Sequence, residues 1–364
     1  MSSVLFFDPN CQSPYSRRTL EEAALGGTEA SVTRIAEALD ARVMQHNRTI
    51  TEGRYLPAGQ ASGVDHLVIL RDPRTVGRIC QSFPHARAYL WMHDLVRPGS
   101  KRGRRLAAAA QTLAQLRVTL VCVSDFQRRQ AEAVLRLAGV GERVRAVTIY
   151  NPVEDSLVPS GAPVDSAKLV FFSSPNKGLA LTLDAFQAAR RAIPDLYLRV
   201  GSPGYKSLRR AGMESVEGKI EAVQWLGALP HARILEEVRT ALCVFYPNFV
   251  LPETFGLVLA EAKAVGTPVL THDCGAAAEV LADARQVLPV TPAVRRYERF
   301  AQLLPNRVRP LIAPGAARLG VFDPYVERLR AWRSGGRPSN EPDARFRLSH
   351  IAERWRTLLA GELS

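Results

Sequence analysis

The sequence predicts an α/β protein of two Rossmann-like domains, each built on a parallel sheet and facing the other across a cleft. Three observations lead there. Short apolar runs alternate with longer amphipathic ones along the chain, which is the pattern of βαβ units. The alternation lapses at Asn151–Ala167, NPVEDSLVPSGAPVDSA, where Pro, Ser, Gly and acidic residues make a linker composition. A chain of 364 residues also exceeds the size at which one hydrophobic core usually splits.

In the first half the expected strands are Val4–Phe7, Val43–His46, His66–Leu70, Ala88–Met92, Leu120–Ser124 and Val144–Ile149. Helical patterns at Glu29–Asp40, Arg104–Leu116 and Gln127–Leu137 lie between them. The second half repeats the order, with strands at Leu169–Phe172, Tyr197–Val200, Val223–Leu226, Leu242–Phe245, Pro268–Thr271 and Gln286–Val290. Its helices are Gly178–Ala192, Ala232–Arg239, Phe255–Val265 and Ala276–Leu281. Pro305–Pro314 reads as a loop because of its prolines, and a last helix covers Leu348–Leu359. The expected division is therefore a first domain over 1–152, a second over 168–340 and a terminal helical segment over 341–364. In open α/β sheets ligands collect at the carboxyl ends of strands, so strand ends are where functional residues are sought.

The five cysteines, Cys11, Cys80, Cys122, Cys243 and Cys274, are odd in number, far apart and without CxxC spacing, as expected of reduced thiols. MSSVLFFDPNCQ has no basic stretch before its apolar one, and no run approaches the roughly 18 apolar residues of a spanning helix. A cytoplasmic protein is expected. Its net charge of +13 calls for an anionic partner: a phosphorylated substrate, a membrane surface or nucleic acid.

The segment PETFGLVLAEAKAVGTPVL is the richest in chemistry. Glu253 precedes an apolar helix and Glu261 lies inside it, where a carboxylate is costly to bury unless hydroxyls, amides or a cation meet it. A ribose diol is one such partner, and a helix starting near Phe255 would offer its free N–H groups to a diphosphate. Equally, Glu253 could cap the helix and Glu261 could pair with a nearby Lys or Arg. Gly26 and Gly27 lie before another helix, where a bare backbone can approach a phosphate or sugar, or simply turn. The stretch before them, NCQSPYSRRTLEEAAL, is long for a βα turn. His93 ends the strand AYLWMHD, beside Asp94. Arg97, Lys101, Arg102, Arg104 and Arg105 follow in RPGSKRGRRL, either as a solvated face or as a site for an anionic acceptor or membrane. Aromatic residues are not interleaved with these charges, so nucleic acid is not expected as a partner.

These motifs resemble, over most of the chain, the retaining GT-B glycosyltransferases of family four, the glycosyl transferases group 1 type. The resemblance is carried by the two glutamates spaced as EX7E, followed by FG, an apolar helix and a GTPV turn. LGGTEASVTRIAEAL, VSDF, YNPV and SSPNKGL add to it. It implies that Glu253 contacts hydroxyls of the transferred sugar and that Glu261 binds the nucleotide ribose. It also implies that the backbone at Phe255, Gly256 and Leu257 holds the diphosphate, that Lys177 binds the donor phosphates and that His93 stands beside the sugar. The terminal helix, with Trp355, would return to the first domain. Many relatives carry an Arg before the lysine, where this chain has Ser173 and Ser174, so Lys177 bears more of the phosphate clamp.

The expected activity is retaining transfer of a sugar from a nucleotide-diphosphate-sugar to an anionic glycan or lipid-linked acceptor, of the polysaccharide or lipopolysaccharide type. Peripheral contact with the inner face of an anionic membrane is part of that expectation. No acidic pair of the DxD kind stands at a strand end, so neither an essential metal nor a cofactor is expected. A nucleotide-sugar epimerase, a phosphorylase and a non-catalytic nucleotide-sugar-binding protein are the alternatives on the same fold. A nicotinamide-dependent dehydrogenase is disfavoured, because neither half opens on GxGxxG.

Overall fold

The computed structural model describes residues 3–202, 213, 216–305 and 307–363. In chain order its elements begin with β1 (Val4–Asp8), α1 (Arg17–Glu22), α2 (Gly27–Ala38), β2 (Arg42–Gln45), β3 (Tyr55–Pro57), β4 (His66–Leu70) and α3 (Val76–Gln81). There follow β5 (Arg87–Met92), α4 (Lys101–Gln115), β6 (Thr119–Cys122), α5 (Asp125–Leu137) and β7 (Ala146–Thr148). The second series comprises β8 (Asp165–Phe172), α6 (Leu179–Ala192), β9 (Tyr197–Ser202), β10 (Val223–Ala228), α7 (His231–Arg239) and β11 (Ala241–Tyr246). It continues with α8 (Leu257–Ala264), β12 (Val269–His272), α9 (Ala277–Leu281), β13 (Val287–Leu288), α10 (Pro292–Ala301), α11 (Arg309–Arg318) and α12 (Asp323–Gly335), before α13 (Leu348–Ala360).

The chain divides into two compact units, one of Met1–Arg18, Gly27–Asp155 and Ala344–Ser364, the other of Thr19–Gly26 and Ser156–Asp343. In the first unit a parallel sheet of seven strands runs β3-β2-β1-β4-β5-β6-β7. Because it is covered on both faces, its strands are apolar almost throughout, as in β5, RAYLWM. Ser100 and Ser124 cap α4 and α5, each hydroxyl accepting the backbone N–H three residues on. One core cluster gathers Leu67, Leu90, Leu106, Leu113 and Leu120 between sheet and helices. On α13, Trp355 is fully buried, its ring edge-on to Trp91 at 5.0 Å and to Phe6 at 5.7 Å. The terminal helix is thus part of the first unit's core.

The second unit carries a parallel six-stranded sheet in the order β10-β9-β8-β11-β12-β13. Both sheets reverse their strand order at one place, between β1 and β4 in the first and between β8 and β11 in the second. A reversal opens a crevice at the carboxyl ends of the two central strands.

Several local expectations are corrected. Pro305–Pro314 is not a loop throughout, since α11 begins at Arg309 and contains Pro314. A proline in the first turn costs nothing there, and Pro314 removes one intrahelical bond while its neighbours Ala313 and Ala316 are buried. Helices α3, α10 and α12 and strand β3 were not expected; α3 and β3 have only six and three residues, too short to show a period. Val287–Leu288 is all that remains of the strand expected over Gln286–Val290, because Ala284–Gln286 is a 3₁₀ turn. The apolar helix expected from Phe255 begins at Leu257.

Candidate functional site

In the second unit, the loop after β8 and the loop after β11 flank the reversal of strand order. The first carries Ser173, Ser174 and Lys177, and the second carries Asn248, Glu253 and Gly256. Glu253 is 3% exposed, yet its carboxylate is well held. Lys177 Nζ donates to both its oxygens, at 3.0 and 2.8 Å, and the Tyr246 hydroxyl donates to Oε1 at 2.5 Å. Burial and the Glu253 carboxylate push the Tyr246 hydroxyl well above its ordinary range, so it stays a donor. Ser173, also buried, hydrogen-bonds to the same hydroxyl.

The backbone of Glu253 is clamped as tightly as its side chain. Its N–H donates to Cys274 O at 3.2 Å, and its own carbonyl accepts from Ala276 N at 2.9 Å. Gly275 makes that clamp feasible, because at φ +80° a Cβ there would stand 2.2 Å from the Glu253 carbonyl oxygen. Asn248, 2% exposed, winds the loop between β11 and Glu253 by accepting from Val250 and Leu251 N–H and donating to Leu251 O. Gly256, in the left-handed region at φ 87°, then leads into α8, whose first N–H groups have no side-chain cap. Glu253 is therefore not a helix cap, in contrast to one of the two readings of the sequence.

Glu261, one turn into α8, is 3% exposed. Its carboxylate meets His231 Nε2 at 2.9 Å, at the start of α7. Lys263 turns away, donating to Val280 O, Leu281 O and Asp343 Oδ2. Phe255 is buried beneath the turn, and Gly256 and Leu257 form the helix start.

In the first unit, three polar residues follow adjacent central strands. Asp8 ends β1, Arg71 follows β4 and His93 follows β5. Arg71 lies at φ 64°, a strained conformation for a non-glycine residue, and donates to Glu29 Oε1 at 2.7 Å. Burial, with Arg71 nearby, holds His93 well below its ordinary pKa, so its ring is neutral at physiological pH. Trp91 supports that ring at a centroid distance of 4.5 Å. Gln127, directly after the VSDF turn, donates to the carbonyl of Asp94 at 2.8 Å and accepts from Val123 N–H, which fixes the loop after His93. Gly26 is buried and Gly27 is the exposed first residue of α2, with Glu29 in its first turn.

Arg97, Lys101, Arg102 and Arg104 are exposed and Arg105 is half-buried. Four of the five stand in the first turn and a half of α4, at the positive end of its dipole, where cations are unfavourable. Arg102 pairs with Asp94 at 3.1 Å.

Tyr246, Asn248, His231, Gly275 and Arg71 were missed from the sequence. Tyr246 and Asn248, in YPNF, follow a strand as functional residues do, so a scan of strand ends would have raised them. Nothing local marks His231, which meets Glu261 from another helix.

Residues 162–304 match the family Glycosyl transferases group 1. Over 216 residues the chain is 30% identical to a phosphatidyl-myo-inositol mannosyltransferase of Mycobacterium leprae, a stretch covering 56% of this chain and 54% of that one. The chain spans about half the length of the curated relatives it matches. Its fold is similar to that of HepE from Anabaena, solved in complex with UDP-glucose, with a TM-score of 0.63 at 18% identity over 99% of this chain and 100% of that one. It is similar also to WaaG, a glycosyltransferase involved in lipopolysaccharide biosynthesis, with a TM-score of 0.59 at 14% identity over 98% of this chain and 100% of that one. At these identities the likeness is one of fold. Over nearly its whole length the chain thus has the GT-B fold, and within it residues 162–304, most of the second unit, match the group 1 glycosyltransferases.

Proposed function

We propose that the protein transfers a sugar, with retention of anomeric configuration, from a nucleotide-diphosphate-sugar to a lipid-linked or glycan acceptor. The observation that carries this reading is the buried Glu253, held by Lys177 and Tyr246 next to the uncapped start of α8. Departure of a nucleoside diphosphate develops negative charge on phosphate and positive charge at the anomeric carbon. The N–H groups at Gly256 and Leu257 and the Lys177 ammonium suit the first, with Lys177 shared between Glu253 and a phosphate. Glu253 then accepts from sugar hydroxyls, and Glu261, oriented by His231, accepts from the ribose diol. Gly26 and Gly27 give bare backbone to the donor. His93, neutral, offers the transferred sugar one donor and one acceptor without adding charge. The leaving phosphate takes the acceptor's proton on the same face, and no essential divalent metal takes part.

The lipid-linked acceptor is supported by the relatives' names, which include a phosphatidyl-myo-inositol mannosyltransferase, and by the cationic start of α4. Arg97, Lys101, Arg102, Arg104 and Arg105 would bind its anionic head group or the membrane carrying it. No described helix is long and apolar enough to cross a membrane.

Thermal unfolding against a panel of UDP-, GDP- and dTDP-sugars tests the donor half of the proposal, because a ligand that binds the native state raises the midpoint by mass action. A rise with one nucleotide series, lost in Glu261→Ala and Lys177→Ala and unaffected by EDTA, is expected. No rise with any of them would overturn the proposal.

A further inference from the structure

Helices α10 and α11 of the second unit border an apolar groove of about 460 Å³ lined by Ala293, Phe300, Ile312, Ala316, Leu319 and Val321. On and beside it, large apolar side chains face solvent: Phe300 is 55% exposed, Leu303 82%, Leu311 77% and Leu319 83%. So many within some twenty residues form a patch rather than the scattered exposure any surface shows. The same stretch has a one-sided charge. Arg295, Arg296, Arg299, Arg307 and Arg318 are exposed, and among the described residues none of them has an ion-pair partner. From Val287 to Val321 the sequence contains a single carboxylate, Glu298, and that one is buried against Arg309 at 2.6 Å.

An apolar strip rimmed by unpaired arginines, with no exposed acid between Val287 and Val321, matches the boundary between head groups and acyl chains of an anionic bilayer. Guanidinium groups meet phosphates there while Phe and Leu side chains enter the hydrocarbon edge. A protein partner would have to supply acidic residues around an apolar plug, and a second copy of this chain brings the same positive charge to the contact. We propose that the α10–α11 face lies on an anionic phospholipid surface, as a membrane contact distinct from the cationic start of α4. This contact rests on the lipid-linked-acceptor reading for its purpose, and on α10 and α11 alone for its location.

The test is sedimentation of the whole chain with vesicles of phosphatidylcholine containing phosphatidylglycerol, against phosphatidylcholine alone. Binding to the anionic vesicles is expected, falling by roughly a hundredfold in Arg295→Glu/Arg296→Glu/Arg299→Glu, about fivefold or more per charge. Phe300→Ser/Leu319→Ser should lower it about tenfold or more at unchanged charge. Where the serine variant does not fold, Phe300→Trp keeps a large apolar side chain in the groove. Its added fluorescence should shift to the blue on anionic vesicles and be quenched by brominated acyl chains. Vesicle binding unchanged by the arginine and serine variants, or lost only in Arg97→Glu/Lys101→Glu/Arg104→Glu, would overturn the proposal. So would an unshifted indole signal in the Phe300→Trp variant, or a concentration-dependent dimer abolished by the serine pair. In each case an intact thermal response to the nucleotide sugar leaves the transferase reading standing, and its absence with vesicle binding intact separates the two failures.

Discussion

In the proposed transfer Glu253 is the residue on which the chemistry turns, and its setting shows why it needs its neighbours. A buried carboxylate, here 3% exposed, would be costly alone, and Lys177, with a side chain 32% exposed, supplies the opposing charge. Lys177→Ala should therefore act on both activity and stability. It should lower kcat by about a hundredfold or more. It should also cost about 2 kcal/mol, less than a fully buried pair because solvent reaches the lysine. Steady-state kinetics and denaturant unfolding of the same preparation check both. At His93 the expectation concerns pH. Burial and Arg71 keep the ring neutral, so kcat should show no ionisation from it above about pH 6. His93→Gln, which keeps one donor and one acceptor, should retain more activity than His93→Ala. A bell-shaped profile whose acid limb near neutrality vanishes in His93→Gln would contradict this.

At the scale of elements, the site depends on how two loops close. The Glu253 strand segment bridges to Gly275, and a methyl group at Gly275 would meet Glu253 O at 2.2 Å and Glu253 N at 2.6 Å. Gly275→Ala is expected to displace the Glu253 backbone and to reduce kcat more than about tenfold, with a stability loss of about 1–3 kcal/mol from the forced φ alone. Gly320→Ala serves as the comparison, because it also sits at positive φ, 70°, and the atoms nearest its Cβ would be those of the Asp323 carboxylate. It should lower stability and leave kcat unchanged. Helix α8 shows the same dependence on backbone conformation: Gly256 at φ 87° turns the chain so that the helix start is free of a side-chain cap.

For the whole molecule, the informative groups are buried titratable ones in the second unit. His272 is 1% exposed, and since a carbonyl can only accept, its Nδ1 donates to Leu288 O and its Nε2 accepts from the Tyr325 hydroxyl. Burial lowers its pKa to about 4 from the usual value of roughly 6.5. The unfolded chain thus binds the proton first, and this contribution to stability, about 3 kcal/mol, is present above about pH 6.5 and lost as pH falls toward 4. Asp184 works the other way. Burial raises its pKa to about 6 despite Arg309, which it shares with Glu298, so its effect favours the folded chain at low pH and fades as pH rises through 6. The two effects oppose each other, so the expected curve of thermal midpoint against pH is shallow between about 4 and 6. In His272→Gln only the Asp184 effect remains, and the midpoint should fall as pH rises across that range. In Asp184→Asn only the histidine effect remains, and the midpoint should rise steeply instead. Identical slopes in all three proteins would show that neither group governs acid stability.

By itself the sequence determined the architecture. Short apolar runs such as VLFF and HLVIL, alternating with longer amphipathic segments, are the pattern of parallel strands covered on both faces, and the linker at Asn151–Ala167 told where one series ended. It also marked Glu253 and Glu261, because carboxylates inside or beside strongly apolar segments need partners, while Lys177 was marked by the family resemblance of SSPNKGL. Only tertiary structure decided who those partners are. Lys177 and Glu253 are 76 positions apart and meet because β8 and β11 are adjacent where the strand order reverses. His231 reaches Glu261 from the start of another helix, and Trp355 enters the first unit's core from the far end of the chain. The fate of α10 and α11 was likewise settled by packing: a proline-rich stretch read locally as a loop became helical because Ala313 and Ala316 could be buried. Local pattern fixes which segments must hide from water, and which segments then lie side by side depends on the order of strands in the sheet.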